Sequence, residues 1–277
     1  MLTKLKSFGL SIITNIYMVF FGITISTILQ KIVQYNLFYQ MILYQFILFI
    51  KNYVLMFIIN FGLKNKKNIV ENNNLIEAYY GEFCMNVFQA TFVEVLTLMI
   101  VHKFYFTFPI INFNILYEFI WFIPLSFIFE IIFDFFHYWT HRIAHMNITL
   151  YKYLHKKHHK FVHPSPITTF YQEPLDLILT NSLPIIFTLL ITPQLTYFQY
   201  ILILLYKTYI EISGHTCKKL YPTSSFPQFM YLPKYLNIEL YAEDHDNHHS
   251  KNNCNYSKRF SLWDKLFGTY YKTKYND

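Results

Sequence analysis

Apolar residues run nearly unbroken for a membrane thickness at several places in the chain. Residues 8–29 ("FGLSIITNIYMVFFGITISTIL"), 83–101 ("FCMNVFQATFVEVLTLMIV") and 115–133 ("ILYEFIWFIPLSFIFEIIF") are each long enough to cross a bilayer, with Glu94, Glu118 and Glu130 as their only acids. Crossing takes about 20 apolar residues in a helix. Residues 36–63 form a fourth run, interrupted by Lys51, which either crosses or lies in the interface. Residues 177–213 suffice for a helical hairpin that breaks near Pro184 or at "TPQ", Thr192 to Gln194. The pattern predicts an all-α polytopic membrane protein with transmembrane helical hairpins.

Polar positions then gather in the second half. Asp134, His137, His141 and His145 are separated by three, four and four positions, which places them on one helix stripe and sets His141 and His145 to grip one metal ion together. Two triplets follow, "HKKHH" with His155, His158 and His159, and "HDNHH" with His245, His248 and His249. With 12 histidines in 277 residues, an H-x-x-H-H is expected about 0.02 times by chance. Eight clustered imidazoles exceed the four to six ligands of one ion, so a pair of ions is the economical reading. His215, in "EISGHTCKKLYP" after the last apolar hairpin, returns to the same membrane face as a ninth ligand, or else caps that helix. His102 reads as an interfacial residue at a helix end, with nothing near it to complete a site.

Composition agrees with the runs and narrows the chemistry. The chain is 54% hydrophobic and only 14% charged, with 30 Phe and 25 Tyr, too apolar for a soluble domain of this length. "MLTKLK" is a short basic leader, but no convincing cleavage site follows, so the first run reads as an anchor. Lysines at 4 and 6, at 64, 66 and 67, and the concentration of Lys and Arg after residue 140 put the N-terminus, the 64–82 loop and the histidine clusters on the cytoplasmic side. A net charge of +7 then faces anionic headgroups, and no nucleic acid is needed. Cys84, Cys217 and Cys254 share no metal-type spacing, so neither a disulfide framework nor a cysteine zinc site is indicated. "KNKKNIVENNN", 64–74, is a polar loop. A closed structural zinc site would use Cys more heavily, although zinc can occupy a purified protein. A metal-ion transporter would carry its ligands within the spans rather than after them.

The order "HRIAH", "HKKHH", "GH", "HDNHH" resembles the fatty acid hydroxylase and sterol desaturase superfamily of membrane-bound histidine-box oxygenases. The resemblance covers roughly residues 115–271 and includes "HPSPITTFYQEPLD" after the second box and "SLWDKLFGTYY" after the third. It divides the chain into N-terminal membrane helices with a loop, 1–114, and a catalytic region, 115–277, with a cytoplasmic histidine-rich helical cap. It implies a non-haem di-iron enzyme that uses O2 to hydroxylate a long-chain fatty acyl or sphingoid lipid or to oxidise a sterol, in the endoplasmic reticulum membrane with the site facing the cytoplasm. A catalytically silent metal-binding member is the alternative, yet no box is broken. The implied ligands are His141, His145, His155, His158, His159, His215, His245, His248 and His249.

Where many relatives carry a histidine this chain has Glu173, followed by Pro174 and Asp176, and both acids are left out of the metal shell. His137 and His163 are each a further ligand or a donor behind the ligands. Asp134 and Glu130 orient histidine N–H groups, pair with a base such as Arg142, or sit at a solvated helix end. The chain shows neither a haem-carrier domain nor a glycine-rich dinucleotide fingerprint. Electrons from NAD(P)H would therefore arrive through a separate reductase and b-type cytochrome.

Overall fold

The computed structural model describes residues 2–70, 80–106, 114–220 and 226–273. The side chains of Lys4 and Lys6 and residues 71–74 of the asparagine-rich patch lie outside the description. Among the described residues the fold is all-helical, apart from one isolated bridge between Asn68 and Lys218.

Four long helices open the chain: α1 (Leu2–Ile32), α2 (Leu37–Gly62), α3 (Tyr80–Phe104) and α4 (Ile115–Met146). The α1–α2 turn is closed by polar side chains, because the first helical N–H groups have no partner within the helix. Asn36 accepts from the Tyr39 N–H, and the Gln40 amide donates to the Val33 and Tyr35 carbonyls. Next come α5 (Pro174–Ile191) and α6 (Tyr197–Gly214), then α7 (Ala242–Lys251) and α8 (Leu262–Leu266).

Among the described residues, five helices are long and apolar enough to cross a membrane: Gly9–Ile32, Leu37–Gly62, Gly81–Phe104, Ile115–Met146 and Pro174–Ile191. Their outer faces carry exposed Phe20, Phe57, Phe61 and Leu116, side chains that lipid solvates without penalty. The chain is built as a multi-pass membrane protein. Lys51 does not interrupt α2, since its ammonium is buried, paired with Glu94 of α3, and 3.3 Å from the Thr208 hydroxyl of α6. The predicted hairpin breaks at Thr192 rather than Pro184. Pro184 opens the regular part of α5 just after a π turn at Ile178–Ser182, where its missing N–H is tolerated.

The returning arm, α6, is the bundle's axis. Every residue from Tyr197 to Tyr206 is buried. α1 lies against it at Gly22, where a Cβ would stand 2.6 Å from the Leu202 side chain. His102, in the last turn of α3, is buried within the bundle: Tyr44 lies 3.0 Å from its Nδ1 and Tyr197 stacks on its ring.

These connections bring several chain ends to one face. The Ile69 N–H donates to the Cys217 carbonyl and the Lys219 N–H to the Lys67 carbonyl, so the segment after α2 lies on the segment after α6. The C-terminal end of α4, the start of α5 and the end of α6 meet there beneath α7, and this face carries every histidine triplet.

Candidate metal centre

On this face nine histidines sort into two groups. His141, His145, His155, His159 and His248 form one, and His158, His215, His245 and His249 the other, with one ligand atom from each member within 4.8 Å of the rest of its group. The repeated triplet explains the sorting. Residues four apart share a helix face, whereas adjacent residues diverge by about 100°. The second box therefore sends His155 and His159 to the first group and His158 to the second. The third box does the reverse, sending His245 and His249 to the second group and His248 to the first. The third box lies on a regular helix, α7. The second does not: His155 ends a π turn (Tyr151–His155) and His158 opens a 3-10 turn (His158–Lys160).

Four of the nine histidines have the ring nitrogen turned away from the group held by an acceptor, whereas the Nδ1 atoms of His158, His159 and His249 are buried without one. His141 donates from Nδ1 to the Tyr256 carbonyl at 2.7 Å, His248 to that of Cys254 at 2.8 Å and His215 to that of Glu211 at 2.7 Å. His155 donates from Nδ1 to both oxygens of Asp176, at 3.0 and 2.9 Å. A neutral imidazole carries one proton, so an engaged Nδ1–H leaves Nε2 as a bare lone pair. Yet the Nε2 atoms of His141 and His155 face each other at 3.0 Å. Those of His248 and His159 stand 3.1 Å apart, and those of His245 and His215 also 3.1 Å.

A proton on Nε2 of His159 or His245 would make the last two contacts N–H···N bonds, but the His141–His155 pair, with both Nδ1–H groups engaged, leaves two lone pairs facing each other. Burial, with the neighbouring imidazoles, holds His158, His159, His245 and His249 well below the usual histidine range, and burial lowers His248 to about 3 and His215 to about 4. Lone pairs converging at this spacing fit a shared cation, since two ligands on bonds of about 2.1 Å stand roughly 3.0–3.4 Å apart at octahedral or tetrahedral angles. The Nε2 atoms of His145 and His249, buried without a protein partner, complete the convergence. An all-imidazole set suits iron, zinc, copper or nickel, and by itself does not choose among them.

A carboxylate frame holds the donors' partners in place. Asp134 accepts the backbone N–H groups of Lys258, Arg259 and Phe260 at 2.8, 3.0 and 3.0 Å. Asp264 accepts those of Tyr256 and Ser257, each at 2.8 Å. The segment so pinned presents the Cys254 and Tyr256 carbonyls to His248 and His141, which places "SLWDKLFGTYY" in the site's support. Arg259, fully buried, joins Glu130 of α4 to Glu211 of α6 at 2.8 and 3.0 Å. Asp134 and Glu130 thus engage the 258–260 segment rather than a histidine or Arg142, whose guanidinium donates to Tyr138.

His137 lies outside both groups and engages the Thr180 carbonyl through Nδ1 at 2.7 Å. His163 also lies outside them, donating to Asp246. Asp176 stays out of the ligand groups but orients His155, a role that the sequence signals only as an acid in the first turn of the helix after box two.

The family model for fatty acid hydroxylase matches residues 126–269, just over half the chain and every residue of both groups. The chain belongs to the fatty acid hydroxylase family. Among curated relatives, a fatty acid hydroxylase of Lecanicillium sp is 31% identical over 149 residues, 51% of this chain and 40% of that protein. A C-4 methylsterol oxidase of Schizosaccharomyces pombe is 32% identical over 150 residues, 54% of this chain and 47% of its own. Methylsterol monooxygenase 1 of Rattus norvegicus is 34% identical over 137 residues, 49% and 43%. The chain spans about half the length of the curated relatives it matches. No solved structure matches it. The fatty acid hydroxylase match begins inside α4, so α1, α2 and α3 lie outside it.

Proposed function

We propose that the protein is a membrane-bound, O2-dependent oxidoreductase holding two iron ions, which hydroxylates a long-chain lipid or oxidises a sterol. The observation that carries this reading is the pair of all-histidine groups, with lone pairs converging on each, at the end of an apolar helical bundle. Bound iron would supply the O2 chemistry and the attack on an unactivated C–H bond that no side chain offers.

The chain's own residues do the rest. Buried imidazoles are kept neutral and available as ligands. Asp176 and the carbonyls of Glu211, Cys254 and Tyr256 fix which nitrogen faces inward. A cavity of about 50 Å³ between α3, α5 and α6, lined by Val93, Phe170, Leu177, Ile185 and Tyr200 with Glu94 and Glu211 at its polar side, admits at most a short end of an apolar chain, so a whole lipid would need the bundle to open. Relatives named as methylsterol oxidases make a 4-methylsterol the first substrate to test.

Electrons come from NAD(P)H through a reductase and a b-type cytochrome. Exposed Lys152, Lys156, Lys160 and Lys251 around the histidine boxes suit an acidic carrier. The same lysines favour the cytoplasmic face, in the endoplasmic reticulum membrane.

The test is incubation of protein-containing membranes with isotopically labelled O2, the reductase and the cytochrome, followed by lipid mass analysis. Label in a new hydroxyl or oxidised methyl is expected. Loss of two hydrogens without label assigns desaturation instead. No O2-dependent change in any sterol or acyl lipid, with iron confirmed in the protein, rejects the oxygenase reading in favour of a silent family member.

A further inference from the structure

Away from the histidine groups, three other ligand-type side chains converge from segments distant in sequence. His163 follows the second box, Cys217 follows α6, and Asp246 stands on α7. One ligand atom from each lies within 4.8 Å of the others. Cys217 and Asp246 are buried, and the His163 side chain is 31% exposed at the rim. His163 donates from Nδ1 to the two Asp246 oxygens at 3.0 and 3.1 Å. The Cys217 thiol hydrogen-bonds the same carboxylate.

The geometry points to a separate third metal site here, taking one divalent ion of the zinc class through His163, Cys217 and Asp246. The donor set selects the ion: a thiolate excludes magnesium and calcium, while sulfur, imidazole and carboxylate together are a set that zinc accepts. Three protein ligands leave a fourth position for water. A thiolate and a carboxylate also neutralise a divalent charge, which matters because both are buried. Binding displaces the thiol proton to solvent, and the ion takes its place, so charge balances. Bonds of about 2.0–2.3 Å place tetrahedral ligand atoms roughly 3.3–3.7 Å apart, so the set closes by shifts of about 1 Å, which the rim position of His163 allows.

The ion would join the segment after the second box, the segment after α6 and helix α7, and so fix the helix that carries His245, His248 and His249.

Sulfur makes this site separable from the histidine groups, which contain none. Cobalt(II) is titrated into the full-length, metal-depleted protein in lipid nanodiscs, and thiolate-to-cobalt charge-transfer absorption is followed. The expected result is a band whose final amplitude corresponds to one thiolate-bound cobalt per chain, beyond the cobalt that the two histidine groups take up without such a band, and which is abolished by Cys217→Ser, is weakened by His163→Ala, and survives Cys84→Ser and Cys254→Ser. Iron content of the variants, read separately, reports that each is folded. Absence of the band in the wild-type protein overturns the site. A band retained in Cys217→Ser, or cobalt affinity unchanged in His163→Ala, overturns it equally.

Discussion

Asp176→Asn offers a perturbation whose effect can be worked from the structure. The Asp176 carboxylate is buried, 1% exposed, and sits with both oxygens within 3.0 Å of His155 Nδ1. Asparagine preserves the shape and one acceptor, so His155 stays in place, but it removes the negative charge that raises the basicity of the opposite nitrogen. Removing such a partner weakens metal binding by about 10- to 100-fold. Because Asn still accepts, the expected loss for Asp176→Asn is about 10-fold, or roughly 1.4 kcal/mol, and for Asp176→Ala it approaches 100-fold, roughly 2.7 kcal/mol. The loss is confined to the five-histidine group, since the partner of His215 in the other is the Glu211 carbonyl. Chelator competition on purified protein resolves the two ions by their order of release. If both are released as from wild type in Asp176→Ala, the assignment of His155 as a ligand oriented by Asp176 is wrong.

Asp134→Ala leaves three backbone N–H groups without their acceptor and is expected to cost about 2–4 kcal/mol, since each orphaned donor costs roughly 1–3 kcal/mol and water recovers part; thermal unfolding in detergent reads it, and an unchanged midpoint refutes it. Glu94→Ala strands the buried Lys51 and is expected to destabilise by about 3–5 kcal/mol, while the double change Lys51→Met with Glu94→Leu recovers most of that; equal losses in the single and double variants contradict the pairing. The metal-free protein is expected to lose stability as pH falls below the usual imidazole range. The unfolded chain takes up protons there that the folded chain refuses down to about 4 at His215 and about 3 at His248, and denaturant midpoints that are flat between pH 7 and pH 5 would count against it.

The long runs were legible because their length is set by the bilayer, not by neighbours, and all three uninterrupted runs became helices. The histidine sets were legible for a different reason, since two matched triplets in one chain are improbable by chance. Their division between two groups was legible only in part, because the spacing sets His155 with His159 and His245 with His249 while the fold decides which group each pair joins. Lys51 read as an interruption because its partner, Glu94, lies on another helix. Long-range pairing also concealed Arg259, which joins Glu130 to Glu211, and Asp264, which holds the carbonyls behind His141 and His248 in place. Cys217 has no spacing relation to His163 or Asp246, so only the fold brings the three together.

The central claim is two metal ions in two all-histidine groups, and iron counting with X-ray absorption tests it most directly. The Cys217→Ser variant, which removes the only thiolate among the proposed ligands, is reconstituted with iron under anaerobic conditions and measured after removal of loosely bound metal. Two irons per chain with a nearest shell of nitrogen and oxygen and no sulfur are expected, falling to one when His245 and His249 are both changed to Ala. One iron or none in the parent variant, or sulfur in its nearest shell, contradicts the account.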